Sequence, residues 1–341
     1  MNNSATSCLR KPNRIARLYA IAFALVVLAG AIGLLLGSTR LSASDWWGFF
    51  TEGAASSAGA RVIAFVRLPR TLASLVCGAA LSAAGAVIQG VLANRLASPS
   101  VVGVNAGAGL AVTMCTAFGI LGGWQVSLFA FLGAFATVML VSLAAQKWGV
   151  SRATVILIGV AVNSLLGAVS DAIVTFFPEV GVMSNDFKVG EFSAITYAKL
   201  IPAAVAIVVT VLLLLTLHHE LDVLRLGEDS AKGLGMNTAL TRTLFLALAA
   251  LLAGCAVSLA GLLSFVGLMV PHAVRRLVGN LSLHLIALSA LLGAGFVCLC
   301  DTLSRTVFTP YEVPVGILMA FLGAPFFVFL LIKGKGGRAD A

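Results

Sequence analysis

Residues Thr71–Leu92 read TLASLVCGAALSAAGAVIQGVL, an unbroken apolar stretch with no charged side chain and a single amide, Gln89. A bilayer's hydrocarbon core is about 30 Å thick and needs about 20 residues of helix to cross it. Inside it every backbone polar group must find its partner within the segment, so a stretch of this length reads as a membrane-spanning helix. Comparable runs lie at Leu18–Leu36, Val101–Leu121, Trp124–Ala145, Thr154–Phe177, Leu200–Leu217, Thr241–Ala260, Leu262–Leu277, Leu283–Leu299 and Val315–Ile332. A membrane β-barrel would instead show segments of about ten residues alternating in polarity, and none is visible. The sequence therefore predicts an all-α, polytopic integral membrane protein with about ten spans, as one transmembrane domain over residues 1–341.

Composition points the same way. The chain is 60% hydrophobic and 10% charged, whereas soluble domains carry about 25% charged residues. Leu18–Leu36 is longer than the apolar core of a secretory signal, about 7–15 residues, and reads as an uncleaved first span. An even number of spans places both termini on one side. Excess Lys and Arg mark the cytoplasmic side, and Arg10, Lys11, Arg14, Arg17, Arg95, Lys147, Arg152, Arg225, Lys232, Arg242, Arg275, Arg276, Lys333, Lys335 and Arg338 all fall there if the termini are cytoplasmic. The net charge of +9 is then topology and contact with anionic headgroups; nucleic acid is not an expected partner. The location expected is a bacterial inner membrane.

A short match suggests internal repetition. Gly78–Gly85 and Gly254–Gly261 both read Gly-x-Ala-x-Ser-x-Ala-Gly, in the second and seventh spans. Halves at about 67–177 and 241–332, offset by five spans, would be inverted relative to each other, as in many transporters. Small residues that let membrane helices pack closely would give the same pattern.

Polar groups at membrane depth usually face a bundle interior or a water-filled path. In the fifth span Asn163, Gly167, Ser170 and Asp171 recur at i, i+4, i+7 and i+8, one helical face. With the adjacent Ser164, and with Gln89 on the second span, they are the path candidates; interhelical hydrogen bonding is the other reading. Asp301 and Arg305, at i and i+4, can pair. The cysteines Cys8, Cys77, Cys115, Cys255, Cys298 and Cys300 lack zinc-site spacings. His218, His219, His272 and His284 share no face. No metal site and no cofactor is expected. Nor is there a Gly-x-x-x-x-Gly-Lys-Ser/Thr loop, so any ATP would be hydrolysed by a partner. The long connection 218–241 is either a solvated link or the place where such a partner pushes.

The ordered set Arg67-Leu68-Pro69-Arg70-Thr71-Leu72, Gly103-Val104-Asn105-Ala106-Gly107-Ala108, Ser264-Phe265-Val266-Gly267-Leu268, Pro271-His272-Ala273-Val274-Arg275, Asp301-Thr302-Leu303-Ser304-Arg305, Glu312-Val313-Pro314-Val315-Gly316 and Gly323-Ala324-Pro325-Phe326-Phe327 resembles the FecCD-type permeases of ABC importers for iron-siderophore complexes, haem and cobalamin. The resemblance covers nearly the whole chain after the first span. It implies no enzyme activity in this chain, but a permease paired with a second permease subunit, as a homodimer or with a similar chain. Two cytoplasmic ATPase subunits and an extracytoplasmic substrate-binding protein would complete the importer, whose substrate is a metal chelate, ferric siderophore first and haem or cobalamin after. By the same resemblance Arg67, Arg70 and Arg305 would dock the binding protein. Gly227, Glu228, Asp229, Ala231, Lys232, Gly235, Met236 and Asn237 would form the coupling segment, and Ser151, Arg152 and Ala153 the cytoplasmic gate. The family's Asn-Pro-Leu-Ala reads Asn94-Arg95-Leu96-Ala97 here, and its Gly-Pro before the eighth span reads Gly261-Leu262. The rival expectation from the residues alone is an ion-coupled secondary transporter with Asp171 as the ion site.

Overall fold

A computed structural model describes residues 12–120, 123–148, 150–309 and 311–335. Cys8, Arg10, Lys11 and Arg338 lie outside the described residues. Helix α1 (Pro12–Leu35) leads through two surface helices, α2 (Ala43–Glu52) and α3 (Ala58–Val62), into α4 (Leu68–Val91). Then come α5 (Val104–Ala117), α6 (Gly123–Lys147), α7 (Arg152–Phe176), α8 (Pro178–Val189) and α9 (Tyr197–Thr216). Two short helices, α10 (His218–Arg225) and α11 (Glu228–Gly233), precede α12 (Thr238–Ala260), α13 (Val266–Val278), α14 (Ser282–Thr306) and α15 (Val315–Lys335). Among the described residues there is no strand. Helix occupies every one of the apolar runs read from the sequence.

The spans are unequal. Among the described residues seven helices are long and apolar enough to cross a membrane, but α5 has 14 residues and α13 has 13. At 1.5 Å per residue each reaches only about 20 Å. Both begin inside the protein, not at its surface. A Cβ on Gly103, just before α5, would meet Thr137 in the middle of α6, and Gly267 lies against Leu81 and Gly85 of α4. Each is entered through a left-handed residue, Gly103 at φ 111° and Phe265 at φ 66°. Irregular backbone at membrane depth is tolerated where protein buries it, and these two breaks occupy the third and eighth positions of the ten helical runs.

Helix α4 is the centre of the bundle, packed by α12, α13 and α14. Small residues make this possible. A Cβ on Gly78 would stand 2.2 Å from the Gly293 carbonyl oxygen, and one on Gly85 would stand 1.9 Å from that of Gly267. Backbones this close leave no room for lipid or water, so the gain is dispersion over a long contact. Helix α4 lies on α14, and α12 lies on α6 as well as on α4. Peripheral helices differ. Helices α1, α7 and α9 bury one face only and leave large apolar side chains such as Leu157, Leu165 and Val209 exposed, as suits contact with lipid or another subunit.

Candidate functional site

The bundle has a basic end, where α10 and α11 lie, and an opposite end with α2, α3 and α8. At the opposite end the chain draws Arg67, Arg70 and Arg305 inward. Their exposures are 3%, 7% and 3%, and that of Asp301 is 0%. A π-helical turn at Ile63–Arg67 joins α3 to α4 and turns Arg67 toward the end of α1. There it donates to the carbonyls of Leu34 (2.8 Å), Leu35 (2.6 Å) and Thr39. Arg70 donates through Nε to Asp301 Oδ1 at 3.0 Å and through Nη1 to Glu312 Oε2 at 2.7 Å. Arg305 donates to the Gly33 carbonyl at 2.6 Å and lies 3.6 Å from Asp301. Burial alone pushes the Glu312 carboxyl up, but the Arg70 hydrogen bond and charge outweigh it and hold Glu312 below the ordinary carboxylate range.

Where the sequence reading has these three arginines meet a binding protein, the chain buries them against its own groups. Two carboxylates, Asp301 and Glu312, and the carbonyls at the end of α1 already engage them, although Arg305 Nε is buried without a hydrogen-bond partner. An arginine buried at a helix end must be paired or it is very costly, and the chain supplies the pairs internally. The i, i+4 contact of Asp301 with Arg305 does form.

The path candidates also divide. On α7, Asn163 turns inward and donates to the Ser100 and Val101 carbonyls at 2.9 and 3.3 Å. These belong to the irregular segment ahead of α5, so Asn163 satisfies orphan backbone at the break. Ser170 is buried and donates to Leu166. Ser164 and Asp171 lie on the exposed side of the same helix. Gln89 is 3% exposed and donates to the Gly267 carbonyl at 3.3 Å, in the packed contact between α4 and α13. The single polar face read for Asn163, Gly167, Ser170 and Asp171 is thereby corrected: Asn163 and Gln89 fasten the two broken helices, while Ser164 and Asp171 look away from this subunit.

The basic end holds a cavity of about 1060 Å³, open to the surface. Its wall is made by the turn after α4, the start of α7 and the end of α13, and includes Arg95, Arg152, Ala153, His272, Arg275 and Arg276. Ala93, in the same wall, takes a left-handed φ of 48°. Ser151 caps α7, its hydroxyl accepting from the Thr154 amide. Arg152 donates to the Leu224 carbonyl of α10 at 2.9 Å and lies 3.8 Å from Glu228 at the start of α11. Glu228 also pairs with Arg242 of α12. The segment read as gate and the segment read as coupling are thus joined by one carboxylate.

Around that joint, Gly227 takes φ 115° and Gly235 φ 81°, where a Cβ would be strained. Ala231 is the buried foot of α11, Met236 packs on the core, and Asn237 caps α12 by accepting from the Leu240 amide at 3.1 Å. Asp229 and Lys232 remain exposed, as do Leu226 and Leu234 at 66% and 68%. Burial lowers the Arg225 guanidinium from its ordinary range, Asp222 offsets part of this, and Arg95 adds to it. Sequence reasoning used Arg95, Arg275 and Arg276 for topology and, for Arg95 and Arg275, in the family motifs, and did not bring them together at a cavity; it also missed Glu312 as a partner of Arg70.

The chain matches the family model described as the FecCD transport family over residues 25–333. The Fe(3+)-citrate import system permease protein YfmD of Bacillus subtilis is 34% identical over 331 residues, covering 96% of this chain and 98% of that one. The iron(3+)-hydroxamate import system permease protein FhuG of the same organism is 34% identical over 340 residues, covering 95% and 99%. A solved ABC transporter, described as of metal-chelate type and caught facing inward, superposes with TM-score 0.81 at 30% identity, covering 95% of this chain and all of that one. A match that runs nearly end to end through both broken helices, the Arg70–Asp301 cluster and the α10–α11 pair carries one conclusion: this chain belongs to the FecCD transport family.

Proposed function

We propose that this chain is the permease subunit of an ATP-binding-cassette importer that moves an iron chelate, a ferric siderophore or related complex, into the cytoplasm by alternating access. The observation that carries the reading is the end-to-end likeness to permeases of iron(3+) chelate import systems. The geometry supports it. The large cavity and the exposed α10–α11 pair occupy one end of the molecule, and Arg152 touches both.

In this reading the basic end is cytoplasmic, as are both termini, and Leu226, Leu234, Asp229 and Lys232 present a seat for a separate ATPase. An extracytoplasmic binding protein delivers the chelate at the opposite end. A second permease copy packs on the exposed side of α7, where Ser164 and Asp171 would line a path between subunits. The two half-length helices, one in each half, are the counterpart of the interrupted helices that flank transport sites, and support the inverted repeat. Ser151, Arg152 and Ala153, at the cavity wall, form the inner gate.

The test is uptake of a ferric chelate into proteoliposomes holding the permease and its ATPase, with the binding protein supplied outside. ATP-dependent accumulation is expected; accumulation that persists with a hydrolysis-dead ATPase overturns the proposal. The ion-coupled alternative gains no support. Asp171 is exposed on α7, no ion pair reaches it among the described residues, and an ion site needs several converging ligands.

A further inference from the structure

The cavity at the basic end has a charge pattern that the transport reading does not require. Arg95, Arg152, Arg275 and Arg276 stand in its wall with His272, and no carboxylate is among its described lining residues. Acids of the adjoining α10 and α11 are already engaged: Asp222 with Arg225 at 3.6 Å and with Ser282, Glu228 with Arg242 and Arg152. Two polar atoms of the wall are buried without a partner, Arg275 Nε and His272 Nδ1, and His272 itself is 9% exposed.

Arginine cannot relieve crowding by losing its proton. Like charges gathered in a cleft with low-dielectric walls focus a positive potential there and raise the local concentration of anions. The cavity's volume, about 1060 Å³, matches the upper range of small-ligand sites. From this we infer that the basic cavity is an exit vestibule for a chelate of net negative charge, one rich in carboxylate or catecholate oxygens, and that it disfavours a cationic complex. The inference rests on the permease reading for the identity of the ligand, but the potential it invokes does not. Arg95 and Arg276 are exposed while Arg275 is half-buried, so the anion would meet the deeper cation first and leave past the hydrated ones.

The experiment places a reporter thiol in the wall. Ala153 is exposed and lines the cavity, and five of the native cysteines are buried. The full chain carrying Cys8→Ser and Ala153→Cys is assembled with its ATPase in phosphatidylcholine nanodiscs. It is then labelled with thiosulfonate reagents of equal length bearing either a sulfonate or a trimethylammonium group. After correction for their rates on a small free thiol, the anionic reagent should react at least about tenfold faster. That preference should fall several-fold in Arg95→Gln/Arg276→Gln. Ferric citrate should protect the thiol, and a cationic ferric trihydroxamate should not.

A corrected ratio near one, or equal protection by both complexes, overturns the inference. So does slowing of the anionic reagent by added phosphatidylglycerol with no further protection by ferric citrate, because a lipid headgroup would then own the site. Failure here leaves ATP-dependent uptake untouched, and loss of that uptake leaves the labelling ratio readable, so the two readings fail separately.

Discussion

Replacing Asp301 by Asn tests the internal role of the three arginines at the end opposite the coupling helices. Asp301 is fully buried, accepts from Arg70 Nε at 3.0 Å and lies 3.0 Å from its Nη2, with Arg305 at 3.6 Å. Two buried cations share this carboxylate. Asparagine keeps its shape and removes its charge, leaving Arg70 with Glu312 alone and Arg305 with only the Gly33 carbonyl and Thr302. Breaking a buried pair by deleting one partner costs about 3–5 kcal/mol, a large share of a total stability of about 5–15 kcal/mol. Glu312→Gln is the internal control. Its side chain is 35% exposed, and pairs at that level of solvation are worth about 1 kcal/mol or less. The difference between the two variants, about 2–4 kcal/mol, is read by unfolding the detergent-purified protein in mixed micelles of rising SDS content. Arg70→Leu/Asp301→Leu should be less destabilised than Asp301→Asn, since an apolar replacement of a buried pair is often nearly neutral. If Asp301→Asn unfolds with Glu312→Gln, and instead weakens capture of the binding protein, the internal-network argument is wrong.

Three further outcomes follow from the same coordinates. Gly85→Ala should leave little folded protein by fluorescence-detected gel filtration, because its Cβ would meet a backbone oxygen at 1.9 Å; Gly167→Ala, with nothing within 4 Å, should match the parent. Glu312 is held below the ordinary carboxylate range by Arg70, so its contribution is complete above that range and disappears as pH falls through the lowered value. SDS resistance of the parent should therefore drop on the acid side, and Glu312→Gln should lack that component. Glu228→Gln, which leaves the cavity wall intact but frees Arg152 and Arg242, should raise ATP hydrolysed per chelate imported several-fold with normal ATPase assembly; an unchanged ratio would refute the link between gate and coupling helix.

The helices were legible because hydropathy over about 20 residues is a physical length test. Their interruptions were not. Leu262–Leu277 is as apolar as a full span, yet residues 261–265 are irregular, and contact with Phe187 and Gly190 makes that backbone tolerable at depth. The Asp301–Arg305 pair was legible from its i, i+4 spacing, but the carboxylates that Arg70 meets are 231 and 242 residues away along the chain, beyond any local pattern. On α7 the helical face was drawn too wide. At about 100° per residue, Asp171 sits about 80° from Asn163 and Ser164 about 100°, and the edge between buried and exposed surface runs between them. Local turn chemistry at Gly227, Gly235 and Asn237 could be read directly, because a left-handed glycine and a capping amide act within a few residues.

These packing differences also say which part of the bundle can move. Helix α4 meets α14 through Gly78 and Gly293 and α13 through Gly85 and Gly267, each glycine pressed on a facing backbone carbonyl. Sliding such a pair brings a larger side chain against a backbone oxygen, and close-packed interiors resist continuous deformation. Helix α7 is held differently: its inner side grips residues 100–102 through Gly159 and Asn163, and its first turn is tied to α10 and α11 by Arg152. Helices α5, α6 and α8 pack on its inner side, and its other side is exposed. A displacement of α11 by an ATPase would therefore reach the start of α7 through Glu228 and Arg152 before it could disturb the central helices. The opening of a path beside Ser164 and Asp171 would then be a rotation of α7 about its contact with the broken segment, with the dry core as the fixed frame.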